Sequence, residues 1–325
     1  MAGDGGLSGE HNKKHILFVP GKNPKPPPEL HRPQLWRCLL DGVRRARPAV
    51  AEALAGCPGV FELVAWNRLF YDRDKDITLD LPWIAHLLAR PGASAADRRE
   101  ARAWRRRLAR WSYQLIDLLP GAARWVPDPA VRASLREIDR YFDNRDGVAR
   151  RIRDRLKSQL VPALEAGQRV LLIGHSMGSI IAYDCLWELC HRDRGRGVLD
   201  ELMTLGSPLG LNLVQRRLLG HDRRGRGRYP CRLRRWVNVS AEGDLVSVDR
   251  RLADDFGAMR ALGLVAEIED HARGVYTWFR DARGLNAHRS YGYLAHPVVG
   301  ELVARWWVGE VAAPGATGYN GRGST

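Results

Sequence analysis

The sequence predicts an α/β fold with a mostly parallel central sheet flanked by helices. Short runs that are apolar at nearly every position alternate with stretches of helical periodicity along the 325 residues. Continuous apolar runs are typical of strands buried on both faces of a parallel sheet. Residues 73–146 instead carry helical periodicity without sheet character. We therefore expect one large domain, residues 13–311, with a helical insertion at about 73–146.

The predicted elements follow one another in chain order. Apolar residues spaced by four predict a helix from about Asp146 to Pro162, a second helix should follow Ser179, and Pro297 to Val308 should form the last one. The termini, 1–12 and 312–325, are predicted to be disordered. Strand-like runs occupy six places: 15–19, 61–66, 169–173, 202–205, a run beginning at Arg235, and 275–279 as the last strand.

The segment between the third strand and its helix is the most informative part of the chain. Residues 174–179 are Gly-His-Ser-Met-Gly-Ser. A G-x-S-x-G turn reverses the chain so sharply that glycine is needed at the crowded positions, which leaves the serine hydroxyl exposed above the sheet. The flanking strand and helix favour a nucleophile elbow over the alternative, a tight turn with an incidental serine.

With these flanks, residues 174–179 resemble the elbow of the α/β-hydrolase superfamily, in its lipase, esterase and intracellular phospholipase-like branches. The resemblance covers roughly residues 13–72 and 147–309. It implies that Ser176 is the nucleophile of a triad and that an acid and then a histidine follow in the chain. Asp184, about two turns further on, is predicted to hold a loop by hydrogen bonding rather than act in chemistry.

The resemblance places the acid in a small-residue loop after a late strand. Residues 243–246, Gly-Asp-Leu-Val, follow the run that begins at Arg235 and look like that arrangement. Asp244 is therefore the predicted acid. Glu242 is its rival, and Asp249 is a weaker one.

The predicted base is chosen among the histidines that follow the acid. His288 lies in a loop between the predicted last strand and the last helix, an order that resembles the superfamily. His296 directly precedes Pro297 and is predicted to start that helix. His271 falls in a charged stretch and is predicted to be a solvated surface residue. Chain order excludes the two earlier candidates, His191 and His221.

An acyl-transfer intermediate needs two preorganised N–H donors, together called the oxyanion hole. The resemblance assigns one to Met177 and the other to the loop after an early strand. Family members often carry His-Gly at the end of that strand, whereas this chain has Pro20-Gly21. We assign the second donor to the backbone of Lys22, with Gly21 allowing close approach, because any non-proline residue supplies an N–H.

These residues predict a serine hydrolase that cleaves a carboxylic ester, a lipid ester being one candidate, without metal or organic cofactor. An imidazole must take the serine proton during attack, and a buried carboxylate must orient that imidazole. The same triad would serve an acyltransferase, in which an alcohol replaces water. A non-catalytic scaffold that binds an anionic partner is the alternative from another class. Acyl length, headgroup and oligomeric state stay open.

Residues 73–146 form a candidate cap, because lids in this superfamily usually cover the acyl pocket. Apolar residues three and four apart predict helices over 81–88 and 111–119. The tryptophans of the segment either line the pocket or anchor the cap to the core: Trp83, Trp104, Trp111 and Trp125.

The net charge of +15 is strong enough to attract polyanions. Two arginine-rich segments, 98–110 and 216–235, carry much of it. Beside a lipase-like site they would make peripheral contact with an anionic membrane, and solvated arginine-rich faces are the alternative. Nucleic acid is not the expected partner, because no stacking motif or nucleic-acid-binding fold accompanies the charge.

Composition also predicts a cellular setting. The five cysteines are odd in number and lack metal-type spacing, and Cys185 and Cys190 are interpreted as free, apolar helix residues. No apolar stretch approaches the roughly 20 residues that span a bilayer, and the first apolar run leads into the sheet. We therefore expect no secretion signal and a reducing cytoplasm. Abundant arginine, alanine and glycine are typical of a GC-rich bacterial genome.

Overall fold

Six parallel strands form the centre of the protein in the computed structural model, which describes residues 14–103, 129–193, 195–247 and 251–310. Helices pack on both faces of this sheet, as expected for the predicted α/β class. Several predictions fall wholly or in part outside the described residues: both termini, the helix at 111–119, most of the arginine-rich segment 98–110, Trp104, Trp111, Trp125 and Asp249.

The sheet has the strand order β2-β1-β3-β4-β5-β6, and all neighbours are parallel. The chain builds β2 on one side of β1 and then crosses to build β3 on the other. Open α/β sheets bind ligands at such a reversal, beyond the carboxyl ends of the strands. The strands are β1 (Lys14–Val19), β2 (Phe61–Leu63), β3 (Arg169–His175), β4 (Leu199–Leu205), β5 (Leu233–Val239) and β6 (Glu267–His271), with a separate antiparallel pair, β7 (Arg280–Asp281) and β8 (Gly284–Leu285).

The α-helices of the described ranges connect and cover these strands. The last has the bounds predicted from sequence. In chain order they are α1 (Pro28–Ala46), α2 (Pro48–Ala55), α3 (Leu81–Ala89), α4 (Ala95–Ala101), α5 (Pro129–Asp143), α6 (Val148–Glu165), α7 (Met177–His191), α8 (Asn212–Gln215), α9 (Leu252–Asp255), α10 (Gly257–Ala261), α11 (Ser290–Leu294) and α12 (Pro297–Val308).

Alternate strand residues enter two separate cores. Leu17 and Leu172 pack with α6 and α7 on one face, whereas Phe18 and Leu171 pack with α1 and α12 on the other. Because side chains alternate along a strand, a sheet covered on both faces requires apolar residues at every position. This requirement explains the continuous apolar runs of the sequence.

Helices α1 and α12 meet backbone to backbone. A Cβ atom added to Gly300 would lie 1.9 Å from the carbonyl oxygen of Gly42. One added to Gly42 would lie 2.2 Å from the oxygen of Leu294, the last residue of α11, just before α12 begins. Only glycine fits at this crossing, which brings the last helix close to the first.

The predicted last strand, 275–279, is not a strand. The last strand of the sheet is β6, whose charged residues gave no apolar pattern. An edge strand is half solvated, so β6 tolerates charge, and its Glu269 lies 2.8 Å from Arg235 and 3.2 Å from Arg305. Residues 275–279 instead lie outside the sheet and are buried, and Val275, Trp278 and Phe279 belong to the core on the α1 and α12 face.

His271 is not the solvated surface residue that was expected. It ends β6, and its backbone oxygen accepts a hydrogen bond from Ser240 at 2.9 Å. Its ring nitrogen lies 2.7 Å from Glu269, and its side chain is 28% exposed. The charged stretch around it belongs to the sheet.

The predicted insertion is helical where the structure describes it, in α3, α4 and α5. The end of α4 lies against the loop of the predicted acid, since a Cβ on Gly243 would lie 2.8 Å from the Ala101 oxygen. Trp83 packs, partly buried, against the α1 and α12 core. That contact favours the anchoring alternative for Trp83.

One of the two cysteines interpreted as free, Cys190, is joined to another cysteine. Cys190, at the end of α7, forms a disulfide with Cys231, just before β5, and the two Cα atoms are 5.7 Å apart. The interpretation of Cys190 as a free helix residue is therefore wrong. Its partner lies 41 residues away, which no local pattern reveals.

Many arginines of segment 216–235 have partners within the chain. Arg217 pairs with Asp139 and Asp143, and the Arg223 guanidinium lies 5.2 Å from the Trp187 ring. Arg235 pairs with three glutamates of the sheet: Glu201, Glu267 and Glu269.

None of the helices in the described ranges is long and apolar enough to cross a bilayer.

Candidate active site

Ser176 occupies a strained turn between β3 and α7. Its φ of 55° and ψ of −124° are rarely adopted by non-glycine residues, and such strain is concentrated at functional sites. A Cβ on Gly178 would lie 2.1 Å from the Val19 oxygen, and one on Gly174 would lie 2.8 Å from the Ser179 Cα. Both glycines of the motif are therefore required by close backbone approach.

Three distant residues form one hydrogen-bonded chain at this turn. His288 Nε2 lies 2.9 Å from Ser176 Oγ, and His288 Nδ1 lies 2.9 Å from Asp244 Oδ2. An ionised carboxylate can only accept, so Nδ1 carries the proton and Nε2 is free to accept from the serine hydroxyl. The structure thus brings the predicted nucleophile, base and acid together, while their catalytic roles stay predictions.

The Asp244 carboxylate is fully buried and held as an anion. Tyr293 donates its hydroxyl to Oδ2 at 2.6 Å, and the Val246 N–H donates to Oδ1 at 2.8 Å. Burial alone would raise the pKa of Asp244, but the charge of His288 and these hydrogen bonds lower that pKa well below its ordinary value. A permanently ionised partner for His288 follows.

Sequence reasoning gave no role to His175, the residue before the nucleophile. Its Nε2–H donates to the backbone oxygen of His288 at 2.8 Å, and the two rings lie 4.9 Å apart. Burial, followed by the charge of His288, lowers the pKa of His175 well below its ordinary value, so it is neutral at pH 7. His175 therefore fixes the backbone that carries His288.

Two further residues that contact or closely approach Asp244 were not predicted from the sequence. The Tyr293 hydroxyl, besides donating to Asp244, accepts from the Ala241 N–H at 2.9 Å. Gly206, after β4, has a φ of 55°, and a Cβ there would lie 2.7 Å from Asp244 Oδ2 and 3.1 Å from His288 Nδ1. No motif links either residue to the acid, because only the packing of β4 and α11 brings them there.

The loop after β1 lies directly against the nucleophile. A Cβ on Gly21 would lie 2.9 Å from both Ser176 Cβ and His175 Nδ1. Trp66 Nε1 donates to the Pro20 oxygen at 2.8 Å, and Asn67 Nδ2 donates to the Gly21 oxygen at 3.0 Å. These two side chains hold the loop that carries Lys22, the predicted second oxyanion donor. The loop therefore lies next to Ser176 and to Met177, the first residue of α7.

The candidates for acid and base that the structure describes can be compared at this site, whereas Asp249 lies outside the described residues. Asp244, and not Glu242, is the carboxylate that meets His288. His296 caps α12, and its Nδ1 accepts from the Val298 N–H at 3.2 Å, which confirms the prediction for it. The prediction for Asp184 is also confirmed, since it accepts from the Leu219 N–H at 2.9 Å.

Comparison of the chain with protein-family models, curated proteins and solved structures finds no match. Within the described ranges, no group of three or more histidine, cysteine, aspartate or glutamate side chains is placed to hold a metal ion. The geometry of the residues themselves therefore carries the functional argument.

Proposed function

We propose that this protein is a serine hydrolase that cleaves a carboxylic ester through an acyl-enzyme. The observation that carries the proposal is the unbroken hydrogen-bond chain from Asp244 through His288 to Ser176. Its place supports the proposal, because the strained serine turn lies at the strand-order reversal, where open α/β sheets bind ligands.

In the first half-reaction, Ser176 Oγ attacks the ester carbonyl carbon while His288 Nε2 takes the hydroxyl proton. The carbonyl oxygen becomes an oxyanion, for which the N–H groups of Met177 and Lys22 are the proposed donors. The bond to the leaving oxygen then breaks, and His288 returns its proton to that oxygen. The products are an alcohol and an acyl group on Ser176.

In the second half-reaction, water gives a proton to His288 Nε2 as its oxygen attacks the acyl carbon. The bond to Ser176 Oγ breaks, and His288 returns the proton to Oγ, which releases the carboxylic acid. Asp244 keeps its negative charge throughout, so it stabilises the imidazolium in both steps.

Hydrolysis of p-nitrophenyl esters of graded acyl length tests the proposal. Ser176→Ala and His288→Ala should each lower kcat by about 10³-fold or more, because the members of a triad act as a unit. Ser158→Ala is the matched control, since this exposed serine lies on α6 and donates to the Arg155 backbone oxygen. A fluorophosphonate should label Ser176 alone. Wild-type protein that neither hydrolyses any of these esters nor takes the label would refute the proposal.

A further inference from the structure

A group of cations lies beside the candidate active site. The basic cluster consists of Lys25, Lys75 and Arg289, of which Lys75 and Arg289 pair with the carboxylate of Asp80. Lys75 Nζ lies 2.6 Å from Asp80 Oδ1, and Arg289 Nη2 lies 2.5 Å from Asp80 Oδ2. The Lys75 N–H donates to the Lys25 backbone oxygen at 3.0 Å, which joins the two lysine segments.

The basic cluster has more positive than negative charge. Asp80 pairs with Lys75 and Arg289, and its single negative charge also acts on Lys25, so one carboxylate faces three basic groups. Burial lowers the pKa of Lys25 well below its ordinary value, and the charges of Arg289 and Lys75 lower it further than Asp80 restores it. Crowded like charges disfavour their own ionised forms, and a bound anion relieves that repulsion.

A buried polar atom without a partner lies beside the basic cluster. His31 is 2% exposed, and its Nδ1 has no hydrogen-bond partner in the described structure. The His31 ring lies 5.9 Å from the ring of Tyr291, and the Arg289 guanidinium lies 5.3 Å from that same ring, so His31 lies close to the basic cluster. Burial, followed by the charges of Lys25, Arg289 and Lys75, lowers the pKa of His31. Buried polar atoms are nearly always paired in folded proteins, so His31 marks an incomplete polar site.

The basic cluster adjoins the reacting groups. Arg289 directly follows His288, and Lys25 donates to the backbone oxygen of Lys22, on the proposed oxyanion loop. The charge of Lys25 also lowers the pKa of His175, which touches His288. The side chains of Lys75 and Arg289 are 27% and 22% exposed, so an anion from solvent can reach them.

We propose that the basic cluster binds a phosphate or carboxylate group carried by the ester substrate, so that the enzyme selects anionic esters. The inference rests on the proposed ester hydrolysis and names the substrate class. Ammonium and guanidinium groups donate strong charge-assisted hydrogen bonds to such oxygens, and the anion supplies the missing counter-charge.

Two matched substrate pairs test the selection. The mono-p-nitrophenyl ester of glutaric acid, compared with p-nitrophenyl valerate, puts the charge on the acyl side. The 1-butyryl ester of glycerol 3-phosphate, compared with 1-butyrylglycerol, puts it on the alcohol side. Wild-type kcat/KM should favour the charged member of at least one pair by about ten- to a hundredfold, the factor expected from a charge-assisted hydrogen bond.

Removal of one cation should remove most of that preference. Lys25→Gln and Lys75→Gln should each lower the charged-to-neutral ratio of kcat/KM about tenfold. Arg169→Gln is the control, because it removes one charge at the start of β3, the opposite end of the strand from Ser176, and should keep the wild-type ratio. A ratio near one in wild-type protein, or the same ratio in all variants, would overturn the proposal.

A binding measurement on protein that lacks the nucleophile tests the anion site independently of the proposed ester hydrolysis. Calorimetric titration of Ser176→Ala with the butyryl ester of glycerol 3-phosphate should give a Kd that weakens about tenfold on adding Lys75→Gln but not Arg169→Gln. If no ester is hydrolysed and Ser176 is not labelled, hydrolysis fails while this titration still decides the cluster. An unchanged Kd would reject the anion site.

If the lysine variants lower the charged-to-neutral ratio of kcat/KM as expected, a vesicle assay shows whether the anionic group belongs to a lipid or to a soluble ester. Faster turnover of phosphatidic acid in phosphatidylcholine vesicles than of the soluble butyryl ester would support a lipid headgroup. The reverse order would support a soluble anionic ester.

Discussion

At the scale of single residues, the acid is the most heavily supported member of the candidate triad. Asp244 accepts from His288, Tyr293 and the Val246 N–H, so its carboxylate has one orientation. Tyr293 in turn holds the backbone of the acid loop through the Ala241 N–H. The Tyr293 hydroxyl thus stabilises the negative charge of Asp244 and also holds its loop in position.

Removal of the Tyr293 hydroxyl should show how much the orientation of the Asp244 carboxylate contributes to kcat. Tyr293→Phe removes a charge-assisted hydrogen bond, so we expect kcat to fall about ten- to a hundredfold with KM little changed. The unpaired Ala241 N–H should also lower the free energy of unfolding by about 1–3 kcal/mol. Ester kinetics and urea unfolding measure both effects. Tyr183→Phe, at a buried tyrosine of α7, is the control, and equal losses of kcat in the two variants would contradict the role given to Tyr293.

At the scale of elements, the packing of α12 on α1 depends on two glycines. Gly300→Ala forces a Cβ to within 1.9 Å of the Gly42 oxygen, so the helices must separate. Overpacking typically costs about 1–3 kcal/mol, and we expect a loss at the upper end, because two backbones must move. Gly257→Ala, in α10 with nothing within 4 Å, should be neutral or stabilising. Urea unfolding of both variants checks the contrast, and equal stabilities would refute it.

A buried glutamate of β4 should make stability depend on pH. Burial raises the pKa of Glu201 to about 7, although Arg235 and Arg305 act against the rise. The folded state therefore holds a proton between about pH 4.5 and 7 that the unfolded chain has lost, so stability falls as pH rises through that window.

Glu201→Gln should remove this part of the pH dependence. Between pH 5 and 7.5, the wild-type free energy of unfolding should fall on the order of 2 kcal/mol more than that of the variant. Urea unfolding at both pH values provides the measurement. Glu267→Gln, at the more exposed glutamate beside Arg235, is the control and should follow the wild type. Parallel pH curves for Glu201→Gln and wild type would exclude this cause.

At the scale of the whole molecule, the disulfide ties the end of α7 to the chain just before β5. It closes a loop between residues 41 positions apart and so restricts the unfolded chain. Disulfides are typical of oxidising compartments, which weighs against the reducing setting predicted from composition.

Reduction should therefore weaken the fold. Dithiothreitol should lower the free energy of unfolding of wild-type protein by about 2–4 kcal/mol. The double variant Cys190→Ser, Cys231→Ser should not respond, whereas Cys57→Ser, at a free half-buried thiol, should respond like the wild type. A thiol assay on the unreduced, denatured chain should find three free thiols of the five. Five free thiols would show that the bridge does not form.

The sequence by itself determined the fold class and the strained serine turn. Both depend on local requirements: continuous apolar runs for buried strands, helical periodicity between them, and glycines where backbones touch at 174 and 178. The start of α12 was also predictable, because Pro297 and the histidine before it form a local start signal. Asp244 and His288 were predicted from the order of serine, acid and histidine along the chain. That order came from the resemblance to a known superfamily and not from the local sequence around either residue.

Only the tertiary structure decided the rest. Strand β6 is charged because it lies at an edge, whereas the apolar run 275–279 fills the core, and neither environment is encoded locally. Tyr293 reaches Asp244 across 49 residues, and Cys190 reaches Cys231 across 41. The basic cluster likewise joins residues from three separate segments. Each of these contacts forms between distant parts of the chain, because packing the sheet and its helices sets which side chains meet.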